Sequence, residues 1–473
     1  MKRFSTLVFY CLAATFSACT GSRHAAGPKA GATAFITSSD QQQLLKEQDG
    51  LRFSGTNANG YTTIEVNGKQ TFQQVEGFGY TLTGGSAQLI NAMEATAKEQ
   101  LLQEIFGNGP QQLGVSYLRI SIGASDLNAT VFSYDDMPSG KTDVPLAHFS
   151  LAPDMAGGTG LIPLLQEILQ RSPKLKIMAA PWSPPAWMKD NDSSKGGSLL
   201  PQYYPVYAQY FVKYIQTMKA AGIPIDAITP QNEPLHPGNN PSLKMVAEEQ
   251  RDFIKYHLGP AFAAAGIRTK IVVYDHNCDR PDYPLTILGD TAAARYVHGS
   301  AFHLYAGDIS ALTTVHNAEP DKAIYFTEQW TGSRETFDNN LRWHIKNVII
   351  GAMRNYSRTA LEWNLANDPG YKPHTPGGCT QCKGAFTING NQVARNVAYY
   401  IIAHASRFVP AGAVRIGSNS EGKLHSVAFK RPDGRKVLIV LNDHDTEAYF
   451  NVRYEGKQAV TVLPAASVGT YIF

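Results

Sequence analysis

Two glutamates in similar sequence surroundings carry the groups needed for acid–base and nucleophilic chemistry. Glu233 follows the short apolar run 225–230 and precedes Pro234, which cannot donate to a continuing strand ladder. Glu328 follows the apolar, β-prone run 322–327 in the same way. Two carboxylates at the ends of two buried strands are the minimum equipment for cleaving a glycosidic bond. That chemistry requires the two strand ends to meet.

The surrounding sequence alternates between β-like and helical segments, and these elements must position the glutamates. Strands are predicted over residues 74–80, 115–122, 174–181, 227–231, 270–274, 299–305, 322–327 and 359–363, and helices over 93–106, 161–170, 206–221, 243–265, 339–353 and 393–408. Eight such units predict an α/β fold, a (β/α)8 TIM barrel over 74–410. Glu233 ends the fourth strand and Glu328 the seventh, so both are expected at the C-terminal rim of the barrel.

The pattern changes after about residue 411. Short β-like runs follow one another, separated by turns such as 432–434, which reads Pro-Asp-Gly. This predicts an additional C-terminal all-β sandwich domain over 411–473. Residues 51–73, with an alternating strand around Ile64, are expected to join that domain, because neither end of the chain makes a sandwich alone.

The N-terminus has the pattern of an export signal. Lys2 and Arg3 precede an apolar stretch, 4–16, that is too short to span a membrane as a helix. Residues 16–19 resemble a bacterial lipoprotein cleavage box, so we expect a signal peptide over 1–19 and a lipid on Cys19; a plain secretory signal is the alternative. The protein would then be exported and anchored in the periplasm or at the cell surface. Residues 20–50 are rich in small and polar residues and predict a flexible tether.

Composition excludes several other classes of function. The 473-residue chain has a net charge of +3 without a dense Lys/Arg cluster, which argues against a nucleic-acid partner. The sequence has neither the GxSxG motif of many serine hydrolases nor the HExxH motif of metalloproteases. No later stretch is long and apolar enough for a transmembrane helix, so membrane contact is expected only through the N-terminal lipid.

The cysteines favour a small disulfide loop. Cys379 and Cys382 form a CxxC pattern, while Cys278 stands alone. A zinc site needs a second pair of ligands, and the sequence offers none at a suitable spacing. In an exported protein, a loop pinned by a disulfide is the favoured interpretation of such a pair.

Seven segments in barrel order resemble glycoside hydrolase family 30, the clan A retaining β-glycosidases that include lysosomal glucosylceramidase and microbial β-1,6-glucanases. The segments are 77–79, 117–121, 180–189, 231–234, 302–305, 327–328 and 362–365. Any one is a weak signal, but seven in order are specific. The resemblance runs from about residue 77 to the C-terminus.

The resemblance implies a role for each motif residue. Glu233 would be the acid/base and Glu328 the nucleophile. Arg119 would keep Glu328 ionised through a charge-assisted hydrogen bond, and Asn232 would bind the sugar 2-hydroxyl. The chemistry implies no cofactor, because two carboxylates and water complete it.

Five further residues are implied in binding or orientation. They are His303 and Tyr305, which would orient the nucleophile, Trp182 and Trp363, which would wall the sugar subsite, and Asp126, which would hold sugar hydroxyls. Each has a plainer interpretation as well. Asp126 suits a loop cap, His303 a hydrogen-bonded core residue and Trp182 simple packing. Arg119 also suits a structural ion pair, which is compatible with its proposed role.

The expected substrate is a β-glucan or another β-glucoside, and a glucan endo-1,6-β-glucosidase is the preferred function. The preference rests on segments 274–283 and 377–388, which look more like bacterial glucan-active members than the lysosomal enzyme. A glucosylceramidase-type exo-β-glucosidase or a β-xylosidase is the alternative. Many family members have Asp soon after the Gly-Phe-Gly segment, and Thr83 and Gly84 occupy that neighbourhood here, which weighs against a single-glucose pocket. A non-catalytic, surface glycan-binding lipoprotein is the alternative from another class; retention of both glutamates, Asn232 and Arg119 weighs against it.

Overall fold

A computed structural model describes Met1 and residues 32–55 and 58–473. Cys19 and nearly all of the predicted signal segment lie outside these residues. Within the described part of the chain, no helix has both the length and the apolar character needed to cross a membrane.

The chain first forms three strands, β1 (Ala32–Ser38), β2 (Lys46–Leu51) and β3 (Thr62–Gln74). The tether predicted over 20–50 is therefore wrong for residues 32–50. Ala34 and Ile36 are buried in the core of the β-domain, while Phe35 on the other face lies 4.7 Å from Phe408, ring centre to ring centre. The short, weakly apolar alternation does not reveal β1, which pairs with β2 on one side and with β22, at the opposite end of the chain, on the other.

The next strands form a closed, parallel barrel. They are β4 (Gly77–Thr81), β5 (Tyr117–Ser121), β6 (Lys176–Ala180), β7 (Ala227–Ile228), β8 (Lys270–Cys278), β9 (Val297–Gly307), β10 (Ala323–Glu328), the short β11 (Thr331–Gly332) and β12 (Ser357–Asn364). All but β11 belong to the barrel, in the order β10-β12-β4-β5-β6-β7-β8-β9. Inward side chains such as Tyr117, Met178 and Tyr325 fill its interior. The predicted (β/α)8 fold is confirmed.

Helices surround the barrel and cover its outer face. They are α1 (Gly84–Asn91), α2 (Ala95–Phe106), α3 (Leu161–Arg171), α4 (Tyr204–Ala220), α5 (Ala247–Phe253), α6 (Gly259–Ala264), α7 (Asp282–Leu288), α8 (Thr291–Ala294), α9 (Ala311–Ala318), α10 (Phe337–His344), α11 (Ala352–Arg354) and α12 (Val397–Ser406). Two π-helical stretches, Ile254–Leu258 and Ile345–Gly351, join α5 to α6 and α10 to α11. Short 3-10 turns lie at Ala152–Asp154, Ala186–Met188 and Pro201–Tyr203.

The C-terminal part of the chain completes a second, all-β unit. Four short strands lie between β12 and α12, namely β13 (Ala366–Asn367), β14 (Cys382–Lys383), β15 (Phe386–Asn389) and β16 (Gln392–Arg395). After α12 come β17 (Val414–Ser418), β18 (Leu424–Lys430), β19 (Lys436–Asn442), β20 (Ala448–Tyr454), β21 (Lys457–Leu463) and β22 (Ser467–Ile472). These six join β1–β3 in a nine-stranded sheet around a separate core. β3 pairs with β17 and β20, and β1 pairs with β22, so both ends of the chain build this domain.

Candidate active site

Glu233 lies just beyond the short strand β7, at the mouth of the barrel. The chain stays anchored to both neighbouring strands, because Asn232 N donates to Pro181 O at 2.8 Å and Glu233 N donates to Asp275 O at 3.0 Å. Glu233 has a φ of 45°, in the left-handed region that non-glycine residues rarely adopt. Such strain concentrates at functional sites, where the surrounding structure fixes it.

Glu328 is the last residue of β10 and is held by two donors. Arg119 Nη1 donates to its Oε2 at 2.6 Å, and the Tyr305 hydroxyl donates to its Oε1 at 2.9 Å. Arg119 is fully buried on β5, and Glu328 is only 5% exposed. A permanent cation at this distance stabilises the ionised carboxylate.

The two predicted glutamates meet. One carboxylate oxygen of Glu233, one of Glu328 and a ring nitrogen of His303 all lie within 4.8 Å of one another. Retaining glycosidases require carboxyl groups about 5 to 5.5 Å apart, whereas inverting enzymes leave room for a water between them. The spacing therefore suits direct attack by one carboxylate on the sugar.

His303 is predicted to orient Glu328, but in the structure it lies closer to Glu233. Its Nδ1 is 3.2 Å from Glu233 Oε1 and 3.8 Å from Glu328 Oε1, and its Nε2 is 3.1 Å from Asp275. The imidazole is fully buried. In this arrangement His303 chiefly orients Glu233, while Tyr305 orients Glu328.

Asp275 is a site residue that sequence reasoning missed. Its carboxylate accepts hydrogen bonds from Arg119 at 2.8 Å and from the Thr229 and Thr327 hydroxyls at 2.7 Å each. A break in the register of β8 on either side of Asp275, which has a φ of 64°, aims this side chain into the barrel mouth. Burial opposes its charge, but Arg119 and His303 outweigh burial and lower the pKa of Asp275. The sequence signal of this bulge is too weak to recognise.

The charges of the site favour one shared proton on the glutamate pair. Burial disfavours the charge on His303, but Glu328, Asp275 and Glu233 raise its pKa to about 9, so the imidazole is a cation at neutral pH. With Arg119 also positive and Asp275 negative, the cluster is neutral when one of the two glutamates keeps a proton. Two carboxylates this close resist joint ionisation for the same reason.

The location of that proton depends on two competing effects. Burial favours the neutral form of Glu233, yet the hydrogen bond and charge of His303 lower its pKa, while burial raises that of Glu328. The hydrogen bonds favour the opposite arrangement, with the negative charge on Glu328 and the proton on Glu233. Glu328 accepts from a permanent cation at 2.6 Å and from a hydroxyl at 2.9 Å, whereas the one side-chain contact of Glu233 within the described residues is the longer 3.2 Å contact from His303. Because Arg119 cannot lose its charge, we place the anion on Glu328 and the proton on Glu233 for catalysis.

Asn232 and two tryptophans line the space beside the carboxylates. Arg119 Nη2 donates at 2.6 Å to Asn232, and since arginine only donates, the contacted atom is the amide oxygen. The Asn232 NH2 group is then the part available to a sugar hydroxyl. Trp182 and Trp363 stack with ring centres 5.3 Å apart, and the Arg119 guanidinium lies 4.8 Å from the Trp182 ring centre.

Asp126 lies at the same cleft and depends on the cysteine loop. Its Oδ2 accepts a hydrogen bond from Cys379 N at 3.1 Å, so it also caps that loop. Cys379 and Cys382 form a disulfide, as predicted. Burial and the negative charge of Glu328 raise the pKa of Asp126 to about 7.

The cleft that contains these groups has a volume of about 510 Å³. Its lining includes the predicted residues Asp126, Trp182, Asn232, Glu233, Tyr305, Glu328 and Trp363 and, in addition, His276, Trp330 and the disulfide. Arg119 and His303 lie beneath its floor and act through the residues they contact. The cleft thus brings together predicted residues that lie on, or just after, six different barrel strands.

The same carboxylates and imidazole are close enough to ligate a metal ion. Their contacts fit hydrogen bonding better, because Arg119 already occupies Glu328 and the cationic His303 already faces Glu233. A divalent cation at this position would have to displace or oppose two positive charges. The contacts of these three side chains therefore favour a hydrogen-bonded acid–base cluster.

Known proteins resemble the chain over most of its length. Residues 75–409 match the glycosyl hydrolase family 30 TIM-barrel domain, and residues 412–471 match the family 30 beta sandwich domain. An endo-1,6-beta-D-glucanase from Neurospora crassa is 34% identical over 467 residues, which covers 92% of this chain and 95% of that protein. The mouse lysosomal acid glucosylceramidase is 29% identical and covers 87% of this chain and 82% of its own length. A solved endo-beta1,6-glucanase structure is 35% identical, with a TM-score of 0.86 over 93% of this chain and 99% of that chain. The chain belongs to glycosyl hydrolase family 30.

Proposed function

We propose that this protein is a retaining endo-β-1,6-glucanase, with Glu233 as the acid/base and Glu328 as the nucleophile. The observation that carries the proposal is the pairing of two buried carboxylates with oxygens within 4.8 Å, only one of which is clamped by Arg119. The clamped carboxylate is suited to attack, and the other is suited to exchange protons.

In the first step, the Glu328 carboxylate attacks the anomeric carbon of the bound glucose. Glu233 gives its proton to the departing glycosidic oxygen, so the leaving sugar departs as an alcohol and a covalent glycosyl–Glu328 ester forms. Tyr305 and Arg119 keep the nucleophilic carboxylate oriented throughout. The Asn232 amide donates to the 2-hydroxyl, a contact that strengthens as positive charge develops on the sugar ring.

In the second step, Glu233, now ionised, takes a proton from water. The resulting hydroxide equivalent attacks the anomeric carbon and releases Glu328 as a carboxylate. Glu233 recovers its proton, and the sugar leaves with its original β configuration after two inversions. His303 stabilises the ionised form of Glu233 between the two steps.

Two observations support β-1,6-glucan over glucosylceramide. The relatives named endo-1,6-beta-glucanases are 33–35% identical to this chain, whereas the mouse glucosylceramidase is 29% identical. In addition, Thr83 and Gly84 occupy the neighbourhood where many family members hold the terminal sugar with Asp, and the Thr83 hydroxyl contacts Ser86 and Asn364. A cleft without that terminal clamp suits internal cleavage.

Product analysis tests this proposal. The signal-free protein is incubated with β-1,6-glucan and, separately, with glucosylceramide, and the products are resolved over time. Early β-1,6-linked oligosaccharides of several lengths are expected from the glucan. Glucose released from glucosylceramide alone would contradict the proposal, as would glycan binding without any cleavage.

We also propose that the chain is exported and anchored through a lipid on Cys19. The lipoprotein-like pattern over 16–19 supports this, although it lies outside the described residues. The full chain expressed in a bacterium should incorporate labelled palmitate, and a Cys19→Ala chain should not. Equal labelling of both would contradict the anchor.

A further inference from the structure

A second cavity, of about 730 Å³, lies beside the catalytic cleft at the junction of the barrel and the β-domain. Its walls come from the segment after β10, from α10 and its π-helical continuation, and from Asp443 just beyond β19. Trp330 lines both this cavity and the catalytic cleft. The two spaces therefore adjoin across a single indole ring, two residues after the nucleophile Glu328.

The cavity combines an aromatic side chain with amide groups, which is the combination that proteins use to bind uncharged sugars. Trp343 on α10 is 39% exposed, which is unusual for so large an apolar side chain. Amide side chains of Asn339, Asn340 and Asn347 lie around it. Gln329 at the cavity is 6% exposed, and within the described residues its Oε1 has no hydrogen-bond partner. Aromatic surface with a few polar groups is typical of a ligand site.

The two cationic side chains at this cavity, Arg342 and Lys346, are already paired. Arg342 contacts Asp338 and Asp445 at 2.8 Å each, and Lys346 contacts Asp443 at 3.3 Å. An anionic ligand would have to compete with these carboxylates for the two cations. A neutral polyhydroxyl ligand requires no such exchange, which makes a glucan segment the matching occupant.

We propose that this cavity is a distal binding site for the glucan chain. In this site, Trp343 stacks on a sugar ring that lies several glucose units away from the bond being cleaved. The inference rests on the proposed glucan-hydrolysing function and deepens it. A chain leaving the catalytic cleft past Trp330 enters the cavity directly. Long substrates are then held at two places, which favours repeated internal cleavage over release of single sugars.

The test compares substrates of increasing length. Kinetic constants are measured for β-1,6-linked gluco-oligosaccharides of two to eight units and for the polymer, with the native chain and with Trp343→Ala. Loss of one stacking contact should lower kcat/KM for the longest substrates about five- to tenfold. The dimer is too short to reach the cavity, so its kcat/KM should change less than about twofold. Trp343→Phe should restore most of the length dependence.

Two further measurements separate the possible outcomes. Tyr256→Ala is the matched control, because it removes an exposed aromatic residue on the π-helical stretch Ile254–Leu258, which does not line the cavity. This variant should not alter the length dependence. Binding of oligosaccharides is measured with Glu328→Gln and with the double variant that also carries Trp343→Ala. The double variant should bind long oligosaccharides more weakly than Glu328→Gln alone. If the native chain cleaves β-1,6-glucan and Trp343→Ala keeps its length dependence, the distal site is wrong while the proposed function stands. If the native chain cleaves only another β-glucan and Trp343→Ala removes its length dependence, the assigned linkage is wrong and the site stands.

Discussion

Arg119 is the side chain that connects the groups of the active site. It donates to Glu328, Asp275 and Asn232 from a fully buried position. Because a buried guanidinium needs such partners to offset its desolvation, the same contacts that stabilise Arg119 also fix Glu328, the proposed nucleophile, and Asn232, the residue proposed to bind the 2-hydroxyl. The structural and catalytic interpretations of Arg119 in the sequence are therefore compatible.

Glu233→Gln tests the acid role. The amide cannot protonate the leaving oxygen, so glucan hydrolysis should fall by about two to four orders of magnitude. An aryl glucoside with a very good leaving group needs no proton, and formation of its glycosyl–enzyme should be much less affected. Pre-steady-state release of the aryl group measures this step. Equal losses on both substrates would contradict the assignment.

Asp126 gives a pH-dependent prediction. Its pKa is about 7 in the folded protein against an ordinary value of 3.8, so the folded state holds a proton that the unfolded chain releases. The stabilising effect of that proton is present below pH 4 and is lost as the pH rises to about 7. At pH 8, Asp126→Asn should therefore have a higher free energy of unfolding than the native chain, measured by denaturant unfolding. Relative to the same comparison at pH 4, the variant should gain about 2 to 4 kcal/mol. A difference that is the same at both pH values would contradict this.

Site residues that belong to a motif can be predicted from the sequence, whereas Asp275, which lies at an irregular point of a strand, cannot. Glu233 and Glu328 lie at strand ends and Arg119 lies within β5, all in recognisable motifs, so their convergence follows from the barrel itself. Asp275 enters the site only because β8 is irregular at that point, and no local pattern announces it. The preference of His303 for Glu233 over Glu328 likewise rests on a small difference between two distances, 3.2 Å to Glu233 and 3.8 Å to Glu328.

At the scale of elements, the cysteine loop is the feature that most directly shapes the cleft. Cys382 packs with Trp182 and Trp363, and Cys379 holds the Asp126 carboxylate. The loop that the disulfide closes is very short, so its entropic contribution to stability is only about 2 kcal/mol. We infer that its main role is to position this wall of the cleft.

Replacing both Cys379 and Cys382 with serine should reduce activity more than stability. We expect kcat/KM on glucan to fall about five- to twentyfold, because Asp126 and Trp363 lose a fixed neighbour, while the free energy of unfolding falls by no more than about 2 kcal/mol. Steady-state kinetics and denaturant unfolding measure the two effects. Cys278→Ala removes a thiol outside the cleft and is the control. An unchanged kcat/KM in the double variant would contradict the positioning role.

Long helices are predicted well from the sequence, and short ones are not. Helices α2, α3 and α4 follow clear apolar periods, while the barrel strands are recognisable as short apolar runs in which every residue of β4 and β5 is buried. The helix predicted over 243–265 begins only at Ala247 and contains the π-helical stretch Ile254–Leu258. Helices α7, α8 and α9 have four to eight residues each, too few to establish a period.

At the scale of the whole molecule, the two ends of the chain are joined in one sheet. The strand around Ile64 is recognisable because it alternates and because the C-terminal strands need a partner. β1 is not recognisable, since it lies between the short strand β2 and β22, and its pairing with β22 joins residues more than 400 positions apart. Non-local pairing of this kind leaves little trace in the local sequence.

Truncation tests the contribution of the first two strands. A chain that starts at residue 52 lacks β1, exposes the edge of β22 and loses the contact of Phe35 with Phe408. It should unfold at a temperature several degrees lower than a chain that starts at residue 32, and it should aggregate more readily. Calorimetry and light scattering compare the two. Identical unfolding temperatures would show that β1 contributes nothing to the β-domain.

The central claim is that Glu328 forms a covalent bond to the sugar. A 2-deoxy-2-fluoro-β-glucosyl fluoride slows the second step more than the first and traps this intermediate. After peptic digestion, mass spectrometry should find one fluoroglucosyl group per chain on the peptide that contains Glu328, and Glu328→Gln should remain unlabelled. Labelling of Glu233 would reverse the two roles. Turnover without any covalent adduct would contradict the double-displacement mechanism itself.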